Sequence, residues 1–303
     1  DSPYFPQRRA LELRNLSLSA KHNLWGIAFT LPAVLFFCIF SFYPMFNTFS
    51  VSVTAYDLLT PMRYVGLNNF KSILNDPLFR ESAFVTFYYI VISTVVTVAI
   101  SLAMALLLNK TFRFQGLARA IIFSPTVISL VVVAMIWKML FHPYGLFYEI
   151  TRHFNPAPIP WLTDRTNALI AIVIARIWRT AGYYMVFFLA GLQNISQTYY
   201  EAAKVDGVNR FQQFRYITWP LLKPTTVMVL IISIINALRD FAVPHIMTGG
   251  GPAGATRLIS LLIYETAFSY LKMGRAAAMS VVLFVFIMIF TIAQLRLFRA
   301  EDL

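Results

Sequence analysis

Apolar residues fall along this chain in long blocks, not in alternation. Six blocks are long and apolar enough to cross a bilayer: Leu24–Tyr43, Ala83–Leu108, Ala120–Phe141, Asn167–Leu192, Thr225–Ile246 and Ala276–Phe298. A spanning helix needs about 20 mostly apolar residues, and the period-two pattern of outer-membrane strands is absent. The pattern predicts an all-α integral membrane protein with six transmembrane helices. A polar segment, 1–23, precedes the first block, and no small-residue cleavage site follows it, so a retained span is expected in place of a signal peptide. The first span and the polar segment after it, 24–82, read as an appendage to a five-span core, 83–298, with a short tail, 299–303. Segment 44–82 carries turn and cap signals at Asp57, Pro61, Gly66, Asn68, Asn69 and Asp76-Pro77. It is too short for a large independent domain.

Composition narrows the class. Of 303 residues, 58% are hydrophobic and 13% charged, about half the charge of a soluble domain. An ordinary water-soluble enzyme and a disordered chain are both excluded. The single cysteine, Cys38, rules out an intrachain disulfide and a thiolate cluster. The histidines at 22, 142, 153 and 245 have no metal-ligand spacing. The net charge of +12 does not point to nucleic acid in so apolar a chain. In a membrane protein a positive excess marks the cytoplasmic loops. With both termini in the cytoplasm, the inside segments 1–23, 109–119, 193–224 and 296–303 hold 13 Lys and Arg, against 8 in the outside segments 44–82, 142–166 and 247–275. The clearest local signal is loop 109–119, with Lys110, Arg113 and Arg119 and no acid.

The longest inside connection runs from Gln193 to Pro224. Ser196 or Thr198 can cap a short helix through Tyr199–Lys204, and Gly207 suits a left-handed bend. A second short helix is expected from Val208 toward Ile217, stopped by Pro220 and Pro224. Two such helices would form a docking surface, although a solvated loop fits the same residues.

Here the chain resembles a known family. Glu201-Ala202-Ala203, then Gly207, Ile217 and Trp219-Pro220, are similar to the EAA loop of ABC importer permeases, with Trp219 in place of the usual Leu. Met247-Thr248-Gly249-Gly250-Gly251-Pro252 resembles the Gly-Gly-Pro segment of maltose-type (carbohydrate uptake) permeases, in the subunit with an extra N-terminal span. The resemblance covers about residues 25–298. It implies a type I ABC importer permease fold in a bacterial inner membrane. It also implies partners: a second homologous permease, two cytoplasmic ATPase subunits and a periplasmic solute-binding protein. Glu201 would make the polar contact to an ATPase, Ala202 and Ala203 would allow close approach, and Gly207 would make the bend. The chain has no Gly-rich Lys-Ser/Thr phosphate loop, so ATP and Mg would be bound by the ATPase partners, with no cofactor and no enzyme activity in this chain. Segment 44–82 is too short to be the large domain that maltose-type relatives often carry there, which implies a simpler binding-protein interface.

Charges inside spans are costly and need a reason. Lys138 sits near the outer end of the third span and can snorkel. Arg176, Arg179 and Arg239 lie deeper, with Asp240 as the only acid in any span. Arg176, Arg179, Thr180 and Tyr183 are spaced i, i+3, i+4, i+7 and share one helical face. Asp240 can neutralise one arginine, which leaves a surplus of positive charge. Two readings fit: arginines bonded to backbone carbonyls or to a partner permease, or an anion-recognising translocation site, since arginine binds carboxylate or phosphate in bidentate fashion. Counted from the two motifs, Arg176, Tyr183, Arg239 and Asp240 match positions where maltose-type permeases contact sugar, several of them neutral in that family. With Tyr183 stacked on a sugar face, the resemblance implies an acidic saccharide, such as an alginate-type uronate oligosaccharide, or a sugar or glycerol phosphate. The competing expectation is a secondary transporter acting alone. No Ser/His/Asp set or carboxylate pair at one depth supports an intramembrane enzyme.

Overall fold

The computed structural model describes residues 23, 25–110, 112–153 and 159–299. The expected N-terminal segment 1–23 lies outside the described residues apart from Asn23, as does the tail 299–303 apart from Arg299. The described chain is almost wholly helical. We number its helices α1 (Trp25–Ser52), α2 (Asn68–Leu74), α3 (Pro77–Leu108), α4 (Gln115–Phe123), α5 (Leu130–Leu140), α6 (Leu146–Thr151), α7 (Arg165–Gln193), α8 (Gln197–Val205), α9 (Arg210–Leu238), α10 (Ala242–Thr248), α11 (Ile259–Ser269) and α12 (Met273–Arg299). A two-residue ladder, β1 (Thr54–Ala55) with β2 (Arg63–Tyr64), is antiparallel. Its connection is held by Asp57, whose carboxylate accepts hydrogen bonds from the Thr60 N–H, the Thr60 hydroxyl and the Leu59 N–H. These bonds keep the Asp57 carboxyl below its usual range.

Five helices, α1, α3, α7, α9 and α12, are each long and apolar enough to span a bilayer. The third expected span, Ala120–Phe141, is not one helix. It divides into α4 with a 3-10 turn at Ser124–Thr126, then α5, bent by 92° between them. Pro125 supplies no N–H to the ladder, and Ser129 adopts an extended conformation (ψ 134°) that starts α5 afresh.

Packing still makes this bent pair one crossing. Helices α3 and α7 run parallel: Arg165 pairs with Glu81 at their starts, and the Ser101 hydroxyl donates to the Ala181 carbonyl further along, at 2.9 Å. Parallel neighbours need a connection that returns the full length of the bundle. The bent pair lies within that connection and touches α7 about one turn apart, with Ile122 beside Gly182 and Trp137 beside Trp178. Six passes result.

Three other expectations are corrected. Helix α1 extends to Ser52, well beyond Tyr43. The fifth expected span, Thr225–Ile246, ends at Leu238, and a separate short helix, α10, follows Arg239–Phe241. The second short helix of the 193–224 loop does not stop at Pro220 and Pro224 but continues into the span as α9. A π-turn at Phe214–Thr218 allows this. It bonds the Trp219 N–H to the Phe214 carbonyl five residues back and opens the ladder where Pro220 has no N–H to give.

The interior is assembled from α3, α5, α7, α9 and α10, with Tyr89, Tyr184, Phe141 and Phe188 fully buried. Polar Ser93, Thr97 and Ser101 line the inward face of α3. Such small residues permit close helix approach without lipid contact. Gly182 is the tightest crossing: a Cβ there would lie 2.0 Å from the Ile122 carbonyl oxygen. Gly182→Ala should therefore force α4 away from α7 and cost about 1–3 kcal/mol. Thermal unfolding of the purified protein in detergent measures this, and an unchanged midpoint would contradict the crossing.

Candidate functional site

The four polar residues that share a face of α7 meet the break after α9. Arg176, Arg179, Thr180, Tyr183, Arg239 and Asp240 all line one cavity of about 380 Å³, together with Thr126, Tyr184 and Asn236. The broken end of α9 positions two of them. Arg239 sits at its C-cap (φ −95°, ψ −3°), and Asp240 follows in the non-helical link to α10. The Ser260 hydroxyl donates to the Asp240 carbonyl, which satisfies part of the backbone freed by the break.

The cations in this cavity differ in what holds them. Arg176 is only 3% exposed. Its Nη2 donates to the Ser233 carbonyl at 2.8 Å and approaches the Ser233 hydroxyl at 3.4 Å, its Nη1 lies 3.8 Å from Asp240 Oδ2, and its guanidinium stands 5.5 Å over the Tyr89 ring. The Tyr89 hydroxyl donates to the same Asp240 oxygen at 2.5 Å. Arg176 is thus committed to protein groups. Arg179 is half-buried; its Nε, like that of Arg176, is buried without a hydrogen-bond partner, and it makes no ion pair among the described residues. Arg239 is exposed and makes no ion pair among the described residues. The second Asp240 oxygen, Oδ1, is also buried without a partner. With one acid against three arginines in its lining, the cavity carries a surplus of positive charge.

Sequence reasoning missed Tyr89, Ser233, Tyr184 and Asn236. The Asn236 amide donates to the Tyr184 hydroxyl at 3.1 Å, and Tyr183 packs edge-on against Tyr184 and Phe187. Tyr89 and Ser233 are neutral residues in apolar runs, and only the fold shows that they face a charge. Lys138 lies exposed in the last turn of α5, away from this cavity.

At the end of the bundle bearing the 193–224 loop, Ser196 caps α8 by accepting from the Thr198 N–H. The helix closes in a Schellman motif: the Val208 N–H reaches the Ala203 carbonyl at 2.9 Å and the Gly207 N–H the Lys204 carbonyl at 3.2 Å. Gly207 takes the required left-handed conformation, φ +72°. Asn209 and Gln212 then form a capping box that starts α9, and the Tyr200 hydroxyl meets the Thr218 hydroxyl at 3.0 Å, pinning α8 to α9. Glu201 and Ala202 face outward, beside exposed Tyr199, Val205, Phe211 and Tyr216. Ala203 is buried instead, so the close approach expected of it is made to its own chain. Ile217 is half-buried and Pro220 exposed. At the opposite end, Gly249 (φ +59°) and Gly250 (φ +82°) turn the chain out of α10, and the Thr256 hydroxyl closes the turn on the Gly251 carbonyl at 2.8 Å.

The chain matches the family described as the binding-protein-dependent transport system inner membrane component, over residues 96–301. It belongs to that family. It is 37% identical over 279 residues to the trehalose/maltose transport system permease protein MalF of Thermococcus litoralis, covering 90% of this chain and 93% of that one. To the sulfoquinovosyl glycerol transport system permease protein SmoG of Agrobacterium fabrum it is 32% identical over 283 residues, 92% of each chain. A chain in the crystal structure of a bacterial alginate ABC transporter, in complex with an alginate pentasaccharide-bound periplasmic protein, superposes with a TM-score of 0.81 at 22% identity, covering 91% of this chain and 94% of that one. That likeness is one of fold. This permease is therefore a multi-pass inner-membrane subunit of a binding-protein-dependent ABC sugar importer, not an enzyme. The expectation of a transporter acting alone gives way to that assignment.

The two kinds of arginine predict two kinds of damage. Arg176→Ala leaves buried Asp240 without its counter-charge and should cost about 3–5 kcal/mol of stability. Arg239→Ala, at an exposed position, should leave the unfolding midpoint unchanged. Equal destabilisation by both substitutions would contradict the separate roles.

Proposed function

We propose that this permease imports an acidic saccharide, with Arg179 and Arg239 as the groups that receive its negative charge. The surplus of three arginines over one acid in this cavity carries the reading. A carboxylate or phosphate on the substrate would supply the counter-ion that Asp240, held by Arg176 and Tyr89, cannot. Thr180 and Asn236 offer neutral hydrogen-bonding groups, and Tyr183 an aromatic face for apolar C–H surfaces of a sugar ring. Relatives at similar identity are named for a neutral disaccharide and for sulfoquinovosyl glycerol, so the cavity residues, not overall similarity, support the substrate class. A uronate oligosaccharide and a sugar or glycerol phosphate each carry the anion this cavity would receive.

In this reading α8 and the first turns of α9 dock on a cytoplasmic ATPase subunit. Glu201 supplies the polar contact, and Ala202 with Tyr199 and Phe211 the apolar one. Two ATPase copies, a second permease and a periplasmic binding protein complete the assembly. Both termini then lie in the cytoplasm, as the excess of Lys and Arg in 109–119 and 193–224 supports. Closure of the ATPases would act on α9 directly, because the loop helix and the span are one continuous element.

Uptake into proteoliposomes by the assembled importer tests both halves. A charge-assisted hydrogen bond contributes about 1.5–3 kcal/mol, so Arg179→Ala or Arg239→Ala should each lower uptake of a uronate oligosaccharide by about 10–100-fold while substrate-independent ATPase activity persists. Full uptake of the acidic substrate by both variants would sink the assignment. Separately, Glu201→Lys, and Gly207→Pro, which removes the N–H bonded to Lys204 and cannot adopt φ +72°, should abolish uptake with membrane insertion intact. Normal transport by either would remove the docking role.

A further inference from the structure

Away from the charged cavity, the membrane-embedded surface carries an apolar groove of about 630 Å³ between the first half of α3 and the middle of α12. Phe84, Phe87 and Ile90 line it from α3, Val282 and Phe286 from α12, and Arg80 stands at its rim. From Arg80 to Ile90 the α3 axis advances about 15 Å, half of a ~30 Å hydrocarbon core. The groove thus reaches one leaflet deep.

Charge at the rim is unbalanced. Asp76 is paired with Arg275 and Glu81 with Arg165, so both acids nearest Arg80 are committed elsewhere. The Arg80 Nε donates to the Leu74 carbonyl at 3.1 Å, and the residue is exposed at the mouth with no ion pair among the described residues. We propose that the groove holds one acyl chain of a membrane phospholipid, with the lipid phosphate on Arg80. A second permease helix is the other occupant such a face could take. Transmembrane helix contacts are built from small residues, whereas these walls are mostly Phe, Ile, Val and Leu, with Ala83 and Thr86 the small exceptions. A protein helix would also need a path through both leaflets, while this groove occupies one. An aliphatic chain ending in a phosphate matches its length, walls and rim charge together.

The test uses the full chain in its assembled importer, reconstituted in vesicles doped with phosphatidylglycerol bearing a diazirine in one acyl chain. After irradiation, labelling of peptides spanning 84–90 and 282–286 should exceed that of residues 25–44 of α1, which are exposed throughout, by at least five-fold. Ala83→Trp fills the groove and should remove the excess. Arg80→Ala leaves the groove open and should lower the excess at least three-fold, and a diazirine-bearing diacylglycerol, which lacks the phosphate, should give none. Labelling no greater than that of α1, or an excess that survives Ala83→Trp, overturns the proposal. So does a benzoylphenylalanine at position 87 that captures a protein subunit instead of lipid. Uptake of an acidic saccharide is independent of either result.

Discussion

The guanidinium of Arg176 is buried in the middle of a membrane bundle, and the elements around it are arranged on that fact. A charge so placed is tolerated only when paired and hydrogen-bonded. The pairing draws on four parts of the chain: the helix carrying Arg176, the Ser233 carbonyl of α9, the Tyr89 ring and hydroxyl of α3, and Asp240 beyond the end of α9. Asp240 reaches Arg176 from the non-helical link that follows Leu238. The break in α9 and the buried ion pair are therefore one feature, and that break delivers Arg239 to the cavity mouth.

That arrangement gives different surroundings to residues that look alike in sequence. Three arginines and one aspartate lie at similar depth, and composition treats them as a cluster with surplus positive charge. Burial and partners divide them. Arg176 and Asp240 neutralise each other within the protein, and Arg179 and Arg239 carry the surplus into open space. The same division joins the cavity to the far loop, since Ser233 and the π-turn before Trp219 belong to one helix. Phe214 and Arg239 stand near the two ends of that helix, about 25 residues apart.

Long apolar blocks made the spans legible before any coordinates, because crossing hydrocarbon leaves little freedom in composition or length. The shared face of Arg176, Arg179, Thr180 and Tyr183 was legible for a similar reason: helical spacing fixes which side chains sit together. The breaks were not. Pro125 bends its span by 92° and Pro224 does not end its helix. A local sequence carries the missing N–H in both cases, but not the π-turn or the neighbouring helix that decides the outcome. Tyr89 and Ser233 were invisible because a neutral residue in an apolar run gives no sign of the charge it will face. The burial of Ala203 under the Schellman turn was likewise not legible from its place in the motif.

The account's central claim is that Arg179 and Arg239 hold the substrate's negative charge while Arg176 stays with Asp240. The most direct measurement is a structure of the assembled importer trapped with a uronate oligosaccharide in the membrane. The account predicts carboxylates within hydrogen-bonding distance of Arg179 and Arg239, and an unbroken contact between Arg176 and Asp240. A substrate carboxylate on Arg176, with Asp240 released, or a sugar bound away from all three arginines, would contradict it.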